Sequence, residues 1–141
     1  MDETWESRAA ALAEKIAQDV SASVEHERLT DKLRVFTFKP KNQDAAEMSI
    51  VVSAYEVIFS AGRGTRFELD PLPGSEKRVV ALARAIASGG LSERVWPGRV
   101  KFELRLEDGT VLRGGVRFGL IPRPGKVRSV TYAPYDQHRQ T

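Results

Sequence analysis

The stretch Tyr55–Leu69, YEVIFSAGRGTRFEL, decides how this chain is organised. It contains two runs rich in β-branched and aromatic residues, with the glycine-framed turn Gly62-Arg63-Gly64 between them. Because side chains alternate between the two faces of a strand, the length of the turn decides which of them reach the core. A three-residue loop places Phe59 opposite Phe67 and Val57 opposite Leu69, all on the apolar side. We therefore predict a hairpin with Arg63 at its tip.

The same register gathers three carboxylates on the other face of the hairpin, those of Glu56, Glu68 and Asp70. Like charges directly opposite each other destabilise a sheet, so the cluster needs a compensating partner. One interpretation is a cation site or an acid/base pair. The other is a solvated face neutralised by Arg66 or by arginines of the second half, and the frequent wet face of antiparallel sheets favours it.

Two amphipathic helices are predicted. The first covers roughly residues 3–26, with Asp2 as its N-cap, His26 near its C-terminal end, and a stripe of apolar residues at steps of three and four: Trp5, Ala9, Leu12, Ile16, Val20 and Val24. The second covers about residues 75–88, begins at Ser75 and ends at Gly89-Gly90.

Strands are predicted around these helices. Residues 32–39 form a short strand, and the apolar run 48–59 is either one central strand or two segments with a bulge near Ser53-Ala54. Apolar and charged residues alternate strictly over 100–107. A three-residue loop at 107–109 then pairs Leu104 with Leu112, Val100 with Val116, Glu103 with Arg113, Arg99 with Arg117, and Phe102 with Gly114. Residues 126–132 add a strand at the sheet edge.

These elements predict an α+β fold. The expected order is α-β-β-β-α-β-β(-β), in a single domain over residues 1–133 with an antiparallel sheet of five or six strands and both helices on one face. Residues 134–141 are expected to be a frayed polar tail.

The composition excludes several classes of chemistry. The chain has no cysteine, which rules out disulfides, a thiol nucleophile and cysteine-ligated metals. His26 and His138 are its only histidines, and neither belongs to a metal-ligand or catalytic motif. The turn at 62–64 joins two strands and does not open a helix, which is atypical of a phosphate loop. We therefore expect no metal, no cofactor and no enzymatic activity.

The start of the chain indicates where the protein works. Its first residues, MDETWESR, are acidic, and the sequence has no apolar run of 18 residues. We expect a cytoplasmic protein without a membrane partner.

Charge is spread unevenly along the chain. Residues 1–70 hold 9 Lys+Arg against 13 Asp+Glu, a net −4, whereas residues 71–141 hold 13 against 6, a net +7. Such asymmetry can mark a polyanion-binding face, an acidic partner, or two solvated surfaces that pair with each other, and by itself it does not choose among them. The candidate interaction surface consists of Arg63, Arg66, Arg99, Arg113, Arg117, Arg123, Lys126 and Arg128. The partner we expect is another protein. Nucleic acid is the alternative, because basic strands and nearby aromatic residues occur together, and a homodimer is left open.

Three runs of the sequence carry a resemblance: YEVIFSAGRGTRFEL, LARAIASGGLSERVWPGRVKFELRLEDGT and PRPGKVRSVTYAPY. Together they resemble small uncharacterised α+β proteins of high-GC actinobacteria. The predicted order of elements is also similar to that of type III secretion chaperones and some toxin-immunity proteins. That resemblance implies a partner-binding protein, although the basic second half departs from the acidic character of the chaperones.

Overall fold

The computed structural model describes residues 4–117 and 125–135. Within them the chain forms two helices, α1 and α2, and nine strands, β1 to β9. In chain order these are α1 Trp5–Val20, β1 Ser23–Thr30, β2 Leu33–Lys39, β3 Met48–Val52, β4 Val57–Ala61, β5 Thr65–Leu69, α2 Glu76–Ala87, β6 Leu91–Trp96, β7 Arg99–Arg105, β8 Val111–Arg117 and β9 Arg128–Thr131.

The strands form two antiparallel sheets, which confirms the α+β class. The first sheet has the order β1-β2-β3-β4-β5 and the second has the order β8-β7-β6-β9. The predicted single sheet of five or six strands is wrong, because β1 and β6 were not recognised as strands and the central apolar run is folded in two. The helices also do not share one face of one sheet. Helix α1 packs on β1 and β2, whereas α2 packs on α1 and β7.

Helix α1 is shorter than predicted. It begins after Thr4, whose hydroxyl accepts a hydrogen bond from the N–H of Ser7, and ends at Ser21, which adopts a left-handed conformation with φ 57°. Asp2, the predicted N-cap, lies outside the described residues. The chain then turns into β1, so His26 is not a helix residue but stacks on Phe36 with ring centroids 4.4 Å apart.

The apolar run 48–59 forms a hairpin instead of one strand. Strands β3 and β4 pair from Met48–Ala61 to Val52–Val57. Between them the Ser53 hydroxyl accepts hydrogen bonds from the N–H groups of Tyr55 and Glu56. This local turn replaces the predicted bulge.

The registers predicted for two hairpins are confirmed. Phe59 pairs with Phe67 and Val57 with Leu69. The β7–β8 hairpin has all five predicted pairings, and Gly109 at its turn has φ 90°. The strand predicted at 126–132 is also confirmed, as β9 on the edge of the second sheet beside β6.

Helix α2 has the predicted glycine end, where Gly89 has φ 83° and the N–H of Gly90 donates to the carbonyl of Ala85. The prediction of a frayed tail is wrong for residues 134 and 135, because Tyr135 is buried and its hydroxyl donates to the carbonyl of Ala46. Residues 136–141 lie outside the described residues. A continuous apolar core links both helices and both sheets. Neither described helix has the length and hydrophobicity needed to cross a membrane.

Candidate binding face of the second sheet

The turn at 62–64 surrounds a buried carboxylate of the second sheet. Glu93 on β6 is 2% exposed, and its Oε1 accepts hydrogen bonds from the Arg63 N–H at 2.9 Å and the Tyr132 hydroxyl at 2.5 Å. Its Oε2 accepts from the Gly64 N–H and the Thr65 hydroxyl, both at 2.9 Å. Four donors from the protein therefore satisfy the carboxylate, which makes burial of the charge tolerable.

Both glycines of the turn are needed for this close approach. A Cβ added at Gly62 would stand 2.6 Å from Oε1 of Glu93, and one at Gly64 would stand 2.7 Å from Cβ of Val100. Gly62 also has φ 61°, a conformation that other residues adopt at a cost. The turn is therefore a joint between the two sheets in addition to setting the register of its hairpin.

The pKa values of two tyrosines, Tyr132 and Tyr135, are raised by their surroundings. Burial raises the pKa of Tyr132 well above its usual range, and its hydrogen bond to the Glu93 carboxylate raises that pKa further. Burial likewise raises the pKa of Tyr135, with Glu47 as a smaller cause. Both hydroxyls therefore keep their protons, and remain hydrogen-bond donors, to a higher pH than an ordinary tyrosine does. Each hydroxyl donates a hydrogen bond within the protein, Tyr132 to Glu93 and Tyr135 to the carbonyl of Ala46.

Strand β6 presents the opposite face to solvent. Residues paired directly across an antiparallel ladder lie on the same face, so Arg94 lies with Lys101 on one side, and Glu93 lies with Phe102 on the other. We call the solvent side of the second sheet the outer face. Its charged residues are Arg94, Arg99, Lys101, Glu103, Arg105, Arg113 and Arg117.

Positive charge dominates the outer face, with six cations and one carboxylate among these residues. The carboxylate of Glu103 is already occupied by Arg113, whose Nε lies 2.9 Å away. Within residues 4–117 and 125–135, no carboxylate is within ion-pair distance of Arg94, Lys101 or Arg117. Such a face attracts anions and repels other cations.

Two like-charged pairs stand side by side on the outer face. Arg94 is directly opposite Lys101, and Arg99 is directly opposite Arg117. Directly opposed like charges destabilise a sheet, and an anion placed between them reverses that effect. The Arg99 guanidinium also lies over the Trp96 ring, 4.9 Å from its centroid.

The outer face is hollowed. A groove of about 760 Å³ has Ser92, Arg94, Lys101, Ser129 and Thr131 among its lining residues. An adjoining hollow of about 260 Å³ is lined by residues of β7 and β8: Arg99, Val100, Lys101, Gly114, Gly115, Val116 and Arg117. Gly115 pairs with Lys101, and a Cβ added there would stand 2.9 Å from the carbonyl oxygen of Val100 and 3.5 Å from Cγ of Lys101.

The structure separates the predicted surface residues. Arg99, Arg113 and Arg117 share the outer face. The other described members lie elsewhere: Arg63 at the joint, Arg66 on the first sheet beside Glu68, Lys126 ahead of β9, and Arg128 on β9 opposite Val95 and therefore on the inner side. Arg123 lies outside the described residues.

The sequence placed Arg94 with the basic residues near the last strands but left it, Lys101 and Arg105 out of the candidate surface. Lys101 and Arg105 were already placed on a solvated strand face by their alternation. Arg94 could be joined to them only by recognising β6, and the alternation of Leu91, Glu93 and Val95 is its signal. That signal is obscured because a charged residue, Glu93, occupies a core position.

The acidic cluster predicted on the first hairpin is not gathered into a metal site. Glu68 pairs with Arg66 at 3.2 Å, as the solvated interpretation anticipated. Glu56 and Asp70 flank the paired strands and lie outside their ladder. No group of three His, Asp or Glu side chains in the part of the chain that the structure describes could hold a metal ion.

Comparison with known proteins adds no relative: no protein-family model, curated protein or solved structure matches the chain.

Proposed function

We propose that this protein is a non-enzymatic protein-binding module that holds an acidic surface of another protein against the outer face of its second sheet. The observation that carries the proposal is the charge of this face, where Glu103 is the single carboxylate beside six cations and is already paired. Charge complementarity of this kind sets partner choice and speeds association. As part of the same proposal, the protein acts in the cytoplasm and resembles immunity proteins or chaperones in its role.

The aromatic residue of this face favours a protein partner over nucleic acid. Proteins that bind single strands stack bases on open aromatic rings. Here one face of the Trp96 ring is covered by the Arg99 guanidinium, and the Tyr132 hydroxyl is bound to Glu93 in the joint. Arg94, Lys101 and Arg117 remain without a carboxylate partner among the described residues, whereas the described part of the outer face offers little open aromatic surface.

The placement of Glu93 supports a binding role over an enzymatic one. A general acid or base has to reach a substrate atom. The Glu93 carboxylate instead receives four hydrogen bonds from the protein itself, two of them from the backbone of the turn. These contacts give Glu93 a structural role in joining the two sheets.

Co-purification from native lysate tests the proposal. The full chain is compared with the double variant Arg94→Glu/Lys101→Glu, and nuclease treatment removes nucleic acid from both samples. Arg66→Glu is the matched control, because Arg66 is an exposed cation of the first sheet. We expect the wild type and the control to retain an acidic partner and the double variant to lose it.

Two results would count against the proposal. One is retention of the same partner by the double variant, which would move the binding surface elsewhere. The other is a partner that disappears on nuclease treatment, combined with oligonucleotide binding whose affinity falls steeply with salt, which would establish the nucleic-acid alternative.

A further inference from the structure

The turn between β3 and β4 is an acidic projection of the first sheet that the proposed function does not use. Its residues 54–56 are exposed, and the Tyr55 side chain is 82% exposed. The Ser53 hydroxyl accepts hydrogen bonds from the N–H groups of Tyr55 and Glu56, and the Ser53 N–H donates to the carbonyl of Glu56 at 3.0 Å. Because these bonds fix the backbone, the turn displays an aromatic ring and a carboxylate with little backbone entropy left to lose on binding.

The Glu56 carboxylate has no partner within its own molecule. In the part of the chain that the structure describes, no cation is within ion-pair distance of it, whereas Glu68 on the same sheet has Arg66 at 3.2 Å. Tyr55 is the most exposed of the large hydrophobic side chains in the same residues. Tyrosine is enriched among the residues that carry most of the binding energy at protein interfaces. The turn therefore has the composition of a contact surface.

The groove of about 760 Å³ on the outer face, which we call the basic groove, complements this turn. Its lining residues come from all four strands of the second sheet, so it crosses that sheet from β8 to β9. Arg94 and Lys101 supply its two unpaired cations, and the hydroxyls of Ser92, Ser129 and Thr131 lie on the same face. A carboxylate can bind the cations while a phenol hydroxyl exchanges hydrogen bonds with these hydroxyls. The volume is within the range of ligand pockets, about 300–1,000 Å³.

Turn and groove belong to oppositely charged halves of the chain, with net charges of −4 and +7. Among the described residues, no member of the first sheet lines the groove, and no ion pair joins Glu56 to Arg94 or Lys101. The opposite charges are therefore left unpaired in a single copy, and contact between copies pairs them. One contact accounts for both features, which favours a second copy of the chain as the occupant.

Like surfaces cannot form this contact. Groove against groove would oppose cations to cations, and turn against turn would oppose carboxylates to carboxylates, which is unfavourable in either case. A self-complementary patch is thus excluded at both places, and the contact has to join unlike surfaces, turn to groove.

We propose that the protein self-associates, with the β3–β4 turn of one copy seated in the basic groove of another. Glu56 binds Arg94 and Lys101, and Tyr55 lies against the hydroxyl side of the groove. This inference goes beyond the proposed function, because it requires no other protein. It concerns the same groove, however, so an acidic partner has to displace the turn.

Sedimentation velocity of the full chain at low salt, at concentrations up to about 1 mM, tests the self-association. The wild type is compared with a turn variant, Tyr55→Ser/Glu56→Gln, and a groove variant, Arg94→Gln/Lys101→Gln. We expect the wild type to associate as its concentration rises and to return to the monomer at high salt. Each variant should associate at least about tenfold more weakly. Glu27→Gln, which removes an exposed carboxylate of the first sheet outside the turn, should leave the association unchanged.

Mixing the two variants provides the sharpest control. The turn variant keeps an intact groove and the groove variant keeps an intact turn, so the mixture should form a one-to-one complex although neither variant associates alone. Such a complex also shows that both variants are folded. A mixture that stays monomeric overturns the assignment of turn to groove, as does association that persists unweakened in either variant.

The outcomes distinguish this inference from the proposed function. A wild type that stays monomeric at about 1 mM and low salt overturns the self-association, while loss of the lysate partner from Arg94→Glu/Lys101→Glu would still support the outer face as a binding surface. Self-association with the predicted pattern, combined with retention of the lysate partner by that double variant, supports the inference and overturns the proposed function.

Discussion

The backbone N–H of Gly64 donates a 2.9 Å hydrogen bond to the carboxylate of Glu93, which lies 29 residues further along the chain. This contact joins the β4–β5 hairpin of the first sheet to β6 of the second. Arg94, the next residue on β6, lies on the opposite face of the strand and contributes to the basic groove. One strand thus fastens the two sheets together and presents a cation to a partner.

Replacing Glu93 by Gln tests the joint. The variant keeps the shape of the side chain but turns one of two acceptor oxygens into a donor, which faces donors that already surround it. Because the site is buried, we expect the free energy of unfolding to fall by about 3 kcal/mol, measured by urea denaturation. The matched control is Glu103→Gln, an exposed carboxylate with a single arginine partner, which should cost no more than about 1 kcal/mol. Equal losses for the two variants would contradict the role of Glu93.

Alanine at Gly62 tests the close approach of the turn. Gly62 and Gly109 both have positive φ, but an added Cβ meets Oε1 of Glu93 at position 62 and nothing within 4 Å at position 109. Both variants bear a backbone cost of about 1 kcal/mol. We expect Gly62→Ala to lose at least about 1 kcal/mol more than Gly109→Ala, because its methyl group must displace the carboxylate. Thermal melts of the two variants make the comparison, and a larger loss at Gly109 would refute this account of the turn.

Alkaline pH should weaken the fold through two tyrosines, the half-buried Tyr132 and the buried Tyr135. The pKa of Tyr132 is raised in the folded state, so below the unfolded value of about 10 both states keep the proton and its stabilisation is complete. As the pH rises above that value, only the unfolded chain releases the proton, and the free energy of unfolding falls. Tyr132→Phe should therefore show a shallower alkaline decline than the wild type.

The exposed Tyr55 provides the control for that titration. Its side chain is 82% exposed, so Tyr55→Phe removes a tyrosine hydroxyl that lies outside the joint. Denaturation midpoints measured between neutral pH and about pH 11 cover the range in which a tyrosine titrates. A parallel decline in all three proteins would show that Tyr132 does not contribute.

Repulsion across the outer face should be visible without a partner. Arg94 faces Lys101, so Arg94→Gln should raise the free energy of unfolding by a few tenths of a kcal/mol at low salt, and the gain should disappear as salt screens the pair. Arg113→Gln removes a favourable partner of Glu103 and should have the opposite sign. Unfolding curves at low and high salt decide between these results, and the same sign for both variants would contradict the assigned register.

The hairpin registers could be predicted because they follow from local parity. At both turns one loop length alone keeps apolar residues on a single face, and the ladders from Val57–Leu69 and Val100–Val116 obey it. The second helix was equally accessible, since it has a stripe of apolar residues and a glycine end.

The two sheets could not be predicted for a different reason. The step from Val20 to Val24 continues the helical stripe, although the left-handed Ser21 ends α1 between them. Strand β6 contains a charged residue, Glu93, at a core position. Its four hydrogen-bond donors all come from distant parts of the chain, three from residues 63–65 and one from Tyr132. Contacts between residues so far apart in the sequence produce no local periodicity. Strand β6 was therefore not predicted, and only part of the outer face could be predicted from the sequence.

The most direct test of the basic face measures binding of poly-L-glutamate and of an oligonucleotide of matched charge to the full chain over a salt titration. We predict tighter binding of poly-L-glutamate, weakened at least about tenfold in Arg94→Gln/Lys101→Gln and unaffected in Arg66→Gln. Tighter binding of the oligonucleotide, or equal poly-L-glutamate affinity in the wild type and the double variant, would contradict an acidic protein partner at the outer face.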